Sequence, residues 1–210
     1  METYKNISIT INEVTKEYHN KTGIKNINTI FKSGVLNLVV GKNGSGKSTL
    51  FKCIMGLVNY QGKIEKRKIK IGYAPEEYVM PTKMTVVDFL YSMGRIRGLD
   101  NDDTNNNLNE YLDFFDLSKY KYKLIATLSN GMRQKLNLMQ AFMHEPKIII
   151  LDEPLAALDD LTLKKVVGLI KMKSKTALVV VSTHQPKQFK TQRKAVYTFE
   201  KGQLIDSTIN

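Results

Sequence analysis

Residues 41–49 read GKNGSGKST: Gly41, Lys42, Asn43, Gly44, Ser45, Gly46, Lys47, Ser48 and Thr49. The spacing fits G-x-x-x-x-G-K-[ST], a loop whose inward N–H groups cradle phosphates. Lys47 would reach the β- and γ-phosphates, and the Ser48 hydroxyl would hold Mg²⁺. The plainer reading is a glycine-rich turn with a surface lysine. An apolar run before the loop and helical spacing after it argue against that reading. Two acids in KIIILDEP (147–154) add a second group. Asp152 ends an apolar strand pattern, where parallel α/β proteins place their ligands, and is a natural Mg²⁺ partner. Glu153 follows and could accept a proton from an attacking water. Alone, the two acids would read as a turn before proline. His184 also lies just past a strand pattern, VVVST, where a γ-phosphate contact outweighs a structural role. Tyr18 offers a π face for a base, although an aromatic in a strand-rich region is usually core. The last group is LSNGM (128–132), where Ser129, Asn130 and Gly131 precede a helical pattern. The patch either caps a helix or binds an anion.

These residues need elements to position them. Residues 8–18 and 24–31 alternate apolar and polar side chains, as half-buried strands do. VLNLVVG (35–41), KIIILDEP and TALVVVSTH (176–184) read as buried strands. Helical spacing covers 48–58 (Leu50, Ile54, Leu57 and Val58 on one face), 84–99, 101–117 (Leu108, Leu112, Phe115), 133–144 and 160–172. AVYTFEKGQLIDS (195–207) reads as a hairpin turning at Lys201-Gly202. Buried strands alternating with helices predict an α/β fold with a mainly parallel core sheet. An antiparallel β portion is expected at the N-terminus, and a helical insert over about 80–145.

Composition narrows the partners. The 210 residues suit one sizeable core and not two full domains. No apolar run is long enough to span a bilayer. The start METYKNISITINEV lacks the basic and apolar regions of a secretory signal. Cys53, the only cysteine, excludes an intrachain disulfide and fits a reducing compartment. The formal net charge of +12 points to anionic partners: nucleotide, nucleic acid or a membrane face. The densest basic stretch, KIEKRKIKIGY (63–73), reads as a strand pair around a polar turn, with Ile64, Ile69 and Ile71 inside and the lysines solvated. No aromatics interleave with its basic residues, which argues against a nucleic-acid partner.

Taken in order along the whole chain, these motifs resemble those of ATP-binding cassette (ABC) ATPases, the nucleotide-binding subunits of ABC transporters. Tyr18 matches the adenine-stacking aromatic and GKNGSGKS the Walker A loop. YAPEE (73–77), with Glu76, stands at the Q-loop, and LSNGM stands for LSGGQ. IIILDEP is Walker B, LAALD (155–159) the D-loop, and His184 the switch histidine. The resemblance implies a single P-loop NTPase domain over 1–210 whose helical insert carries the signature. It implies ATP and Mg²⁺ (Ser48, Asp152, Glu76), with Lys47, Glu153 and His184 in catalysis. It also implies a head-to-tail homodimer, or a heterodimer with a related ATPase, in which Ser129, Asn130 and Gly131 meet the ATP of the other subunit.

With no spanning segment, transport would need an integral membrane permease subunit, with this chain peripheral on the cytoplasmic face of the cell membrane. A groove near Glu76–Arg97, with Met80, Met84, Phe89, Tyr91 and Met93, would receive that partner. The pattern is similar to an exporter branch for drug, peptide or lipid-like cargo. The rival is a soluble ABC ATPase of an assembly or repair complex. Three departures stand out: Glu76 where many members have glutamine, and Asn130 and Met132 in place of glycine and glutamine.

Overall fold

The computed structural model describes residues 7–19 and 22–209. The opening six residues, on which much of the leader-free reading rests, lie outside these. In chain order the strands are β1 (Ser8–Glu17), β2 (Gly23–Lys32), β3 (Leu36–Val40), β4 (Gln61–Lys66), β5 (Ile71–Ala74), β6 (Ile148–Asp152), β7 (Leu178–Thr183), β8 (Lys194–Glu200) and β9 (Gln203–Ile209). The helices are α1 (Lys47–Met55), α2 (Val86–Ile96), α3 (Asn101–Phe114), α4 (Asn130–Phe142) and α5 (Asp160–Lys173).

Six strands form the core sheet in the order β5-β6-β7-β3-β8-β9. The first five run parallel, and β9 closes the edge antiparallel to β8. The apolar runs seen in the sequence follow from burial on both faces. In β6, Ile149 and Leu151 enter the core shared with α2–α5, while Ile148 and Ile150 enter the core shared with α1 and β1. In β7, Val179 and Val181 divide from Leu178 and Val180 in the same way. The second sheet is antiparallel, β2-β1-β4, with Ile9, Ile11 and Val14 turned inward. Helices α2, α3 and α4 fall between β5 and β6, neighbours in the core sheet. Leu108, Leu112 and Phe115 are all buried.

Three local expectations are corrected. The basic stretch 63–73 is not one strand pair: β4 joins the antiparallel sheet and β5 the parallel one. β4 is mostly exposed and β5 mostly buried, so they cannot share one half-buried surface. The helix after the phosphate loop stops at Met55, not at 58, because Gly56 takes φ 70° as its C-cap. Leu57 therefore leaves the helical face and is 61% exposed. Helix α4 starts at Asn130 and not at 133, because Ser129 caps it and its Oγ accepts from Met132 N at 3.3 Å.

One close approach fixes where α4 lies. A Cβ on Gly72 would stand 2.0 Å from the Ala141 carbonyl oxygen, so only glycine lets strand β5 and helix α4 meet this closely. Gly72→Ala should therefore destabilise the fold by about 1–3 kcal/mol. A urea melt showing unchanged stability would mean that α4 shifts freely over β5.

Candidate functional site

The carboxyl ends of β3, β6 and β7 lie side by side and carry the site. The phosphate loop leaves β3 at Val40 and enters α1 at Lys47. Gly46 is the N-cap at φ 105°, and a Cβ there would be 2.6 Å from Ile24 Cγ2. Glycine is required on both counts. The loop is tied down from behind, where Gly202 N donates to Ser45 O at 3.0 Å. Thr22, Gly23, residues 43–49 and Glu76 line a cavity of about 290 Å³.

Lys47 is buried and donates to Gly41 O at 2.9 Å and Lys42 O at 3.3 Å. Its Nζ also stands 3.3 Å from Glu153 Oε1, an ion pair almost closed to solvent. The alignment falls short of a hydrogen bond, and Oε1 has no other partner. The second carboxylate oxygen faces His184: Nδ1 is 2.9 Å from Oε2, and the His184 backbone N lies 3.4 Å away. An accepting carboxylate places the ring proton on Nδ1 and leaves Nε2 to accept from the Gln185 amide at 3.0 Å. Glu153 itself has φ 45°, a left-handed backbone that costs a non-glycine residue about 1–3 kcal/mol and clusters at functional sites.

Ser182, not singled out in the sequence, organises both acids. Its hydroxyl donates to Asp152 Oδ1 at 2.5 Å and accepts from Glu153 N at 2.8 Å. A polar residue closing the apolar run VVVST was the available signal. Burial pushes the Asp152 carboxyl above its usual range, and Glu153 adds to that push. The hydroxyls of Ser182 and Ser48 and the Lys47 ammonium work against it. Glu76 lies 3.5 Å from Ser48 Oγ. Burial, then the charges of Asp152 and Glu153, raise its carboxyl pKa too.

Ser48, Asp152 and Glu76 thus gather hard oxygen donors of the kind Mg²⁺ takes. Among the described residues no three His, Cys, Asp or Glu side chains form a metal cage. The residues fit an ion that completes its shell with phosphate and water. Ser45 Oγ, buried without a partner at the loop's base, fits a cradle that awaits an anion.

The ABC transporter family pattern matches residues 24–156. This chain belongs to the ABC transporter family. An uncharacterised ABC transporter ATP-binding protein of Methanocaldococcus jannaschii is 30% identical over 199 residues, covering 94% of this chain and 76% of its own length. The linearmycin resistance ATP-binding protein of Bacillus subtilis is 27% identical, covering 91% and 66%. The zinc import ATP-binding protein of Rickettsia prowazekii is 36% identical, covering 72% and 64%. A solved dimeric bacterial ABC transporter cassette shares the fold with a TM-score of 0.85 at 23% identity, covering 96% of this chain and 98% of that one. The fold is accordingly that of the P-loop NTPases of this family. ABC ATPases bind ATP, normally with Mg²⁺, and generally hydrolyse it. Among the described residues no helix is long and apolar enough to cross a membrane.

Ser129, Asn130 and Gly131, expected as a signature, do not line the phosphate-loop cavity. Ser129 and Asn130 are exposed, and Gly131 is half-buried. A Cβ on Gly131 would stand 2.7 Å from Ala157 O. Met132 packs against the core. Tyr18 follows β1 half-exposed, with Lys16 Nζ 5.0 Å from its ring centroid, so it is not core. Its backbone N donates to Thr22 O at 2.9 Å, and Thr22 lines the cavity. Asp159, expected in a D-loop, caps α5 through Thr162.

Of the five residues expected in the partner groove, Met80 lines a cavity of about 420 Å³ with Glu76, Tyr78, Thr82, Asn130 and Arg133. Met84 and Phe89 pack on the core, Tyr91 bonds Asn101, and Met93 is half-buried. The apolar residues most open to solvent here are Val79 and Ile96, which periodicity did not flag.

An acid whose carboxyl is raised by folding weakens the fold at neutral pH, and the penalty fades as pH falls through the folded and then the unfolded value. Asp152→Asn should therefore raise the nucleotide-free Tm at pH 7. The gain should shrink on acidification. A Tm difference independent of pH would exclude Asp152 as the titrating group.

Proposed function

We propose that this chain, as a single domain with its signature on the helical segment about 80–145, is an ATP-hydrolysing subunit that closes head to tail on a second copy or a related ATPase. In this reading it powers transport through a separate integral membrane permease, from the cytoplasmic face of the membrane. The observation that carries the reading is the constellation Lys47–Glu153–His184 at three neighbouring strand ends, with Ser48 and Asp152 beside it.

The ion pair suggests the first step. Phosphates entering the loop compete with Glu153 for the Lys47 ammonium. Glu153 is then released to orient and polarise a water. Ser48, Asp152 and Glu76 would hold Mg²⁺, which would supply positive charge to offset that of the phosphates. Glycine-loop N–H groups of residues 41–49 and the α1 N-terminus hold the phosphates, and Tyr18 takes the adenine. His184 exchanges its Gln185 contact for the γ-phosphate. Ser129, Asn130 and Gly131 of the second copy face the same phosphate with a hydroxyl, N–H groups and a helix N-terminus. The groove at Met80 and Tyr78, beside Glu76, then takes a segment of the permease.

Export is the direction we infer. It is supported by the likeness to the linearmycin resistance relative, which aligns over 91% of the chain.

Glu153→Gln should lower kcat for ATP hydrolysis by about 10²–10⁴-fold. ATP should still bind, and light scattering should show a dimer only with ATP. An ATP-loaded monomer would count against the shared site. Purification in mild detergent from the native cells should bring down one polytopic membrane protein in stoichiometric amount. Soluble partners alone would overturn the transporter reading and leave the ATPase reading standing.

A further inference from the structure

Helix α4 buries three amides along one face: Gln134 (4% exposed), Asn137 (2%) and Gln140 (7%). The spacing i, i+3, i+6 would ordinarily hold an apolar stripe. Burying an amide is costly unless it is bonded, and here each one is. Gln134 Nε2 donates to Pro154 O at 3.1 Å, Asn137 Nδ2 to Pro75 O at 2.9 Å, and Gln140 Nε2 to Tyr73 O at 2.6 Å. The amides also contact one another, at 3.4 Å from Asn137 Nδ2 to Gln134 Oε1 and 3.4 Å from Gln140 Nε2 to Asn137 Oδ1. Pro75 immediately precedes Glu76, and Pro154 immediately follows Glu153. The ladder therefore joins the two acid-bearing loops to the helix whose first turn is Asn130 and Gly131.

We infer that Gln134, Asn137 and Gln140 are positioning residues that hold the Glu76 and Glu153 loops in register with α4, so that nucleotide at this chain's phosphate loop is sensed at its own Ser129–Gly131. Apolar packing resists sliding weakly, whereas directional bonds to carbonyls fix a single register. Movement of either loop on binding phosphate pulls on α4 through two bonds of one connected network. The inference rests on the nucleotide site proposed above.

The test is hydrogen–deuterium exchange of the full chain with and without ATP and Mg²⁺, at a concentration where light scattering shows a monomer. The native protein should gain protection over 43–49 and also over 130–140. Asn137→Leu should keep the first, with ATP Kd within about twofold, and lose the second, while kcat falls at least about tenfold. Gln140→Leu, which leaves Pro75 bonded, should weaken the second response in the same direction and serves if Asn137→Leu does not fold. Protection over 130–140 that persists in both variants overturns the inference, as does a native protein protected over 43–49 alone. Loss of Kd and kcat in equal proportion points to a merely structural ladder and also overturns it. Absence of ATP protection over 43–49 in the native protein would instead overturn the nucleotide site.

Discussion

Lys47 and Glu153 meet 3.3 Å apart with almost no solvent between them, and the rest of the site is arranged around that pair. Neither charge tolerates burial alone, since an unpaired buried ion costs several kcal/mol. Lys47 is therefore folded back onto the loop carbonyls of Gly41 and Lys42, and Glu153 is braced by His184. Three neighbouring strand ends are thereby joined by side-chain contacts. In the function proposed above, an incoming phosphate would offer Lys47 an alternative partner.

The same crowding explains the acids. Asp152, Glu153 and Glu76 face one small region around the Lys47 ammonium, and burial raises the carboxyls of Asp152 and Glu76. Glu76 adds a third carboxylate to this crowding, raised by burial and then by the charges of Asp152 and Glu153. The strained backbone at Glu153 belongs to the same economy: φ 45° turns its side chain away from Asp152 and toward Lys47 and His184.

The helical segment reaches this site through backbone carbonyls and not through charge. Gly72 allows α4 to rest on the edge strand β5, and three amides of α4 bind carbonyls of that strand's end and of the turn after Glu153. Ser129–Gly131 are thus carried at the start of a helix that is bonded to the loops bearing Glu76 and Glu153.

Spacing along the chain determined the glycine-rich loop between β3 and α1, the acid pair at a strand end and the parallel core, because each is a local pattern: glycines and lysine at fixed offsets, or an apolar run buried on both faces. Ser129 as helix cap was legible for the same reason. Other features were not local. That β4 and β5 enter different sheets depends on which neighbours bury them, and 63–73 reads the same either way. Ser182 acquires its role only when β7 is paired beside β6. Gln134, Asn137 and Gln140 look like ordinary polar helix residues until the tertiary structure brings backbone carbonyls against them. Hydrogen-bond partners tens of residues apart leave no periodic trace in a sequence, so only the folded chain decides them.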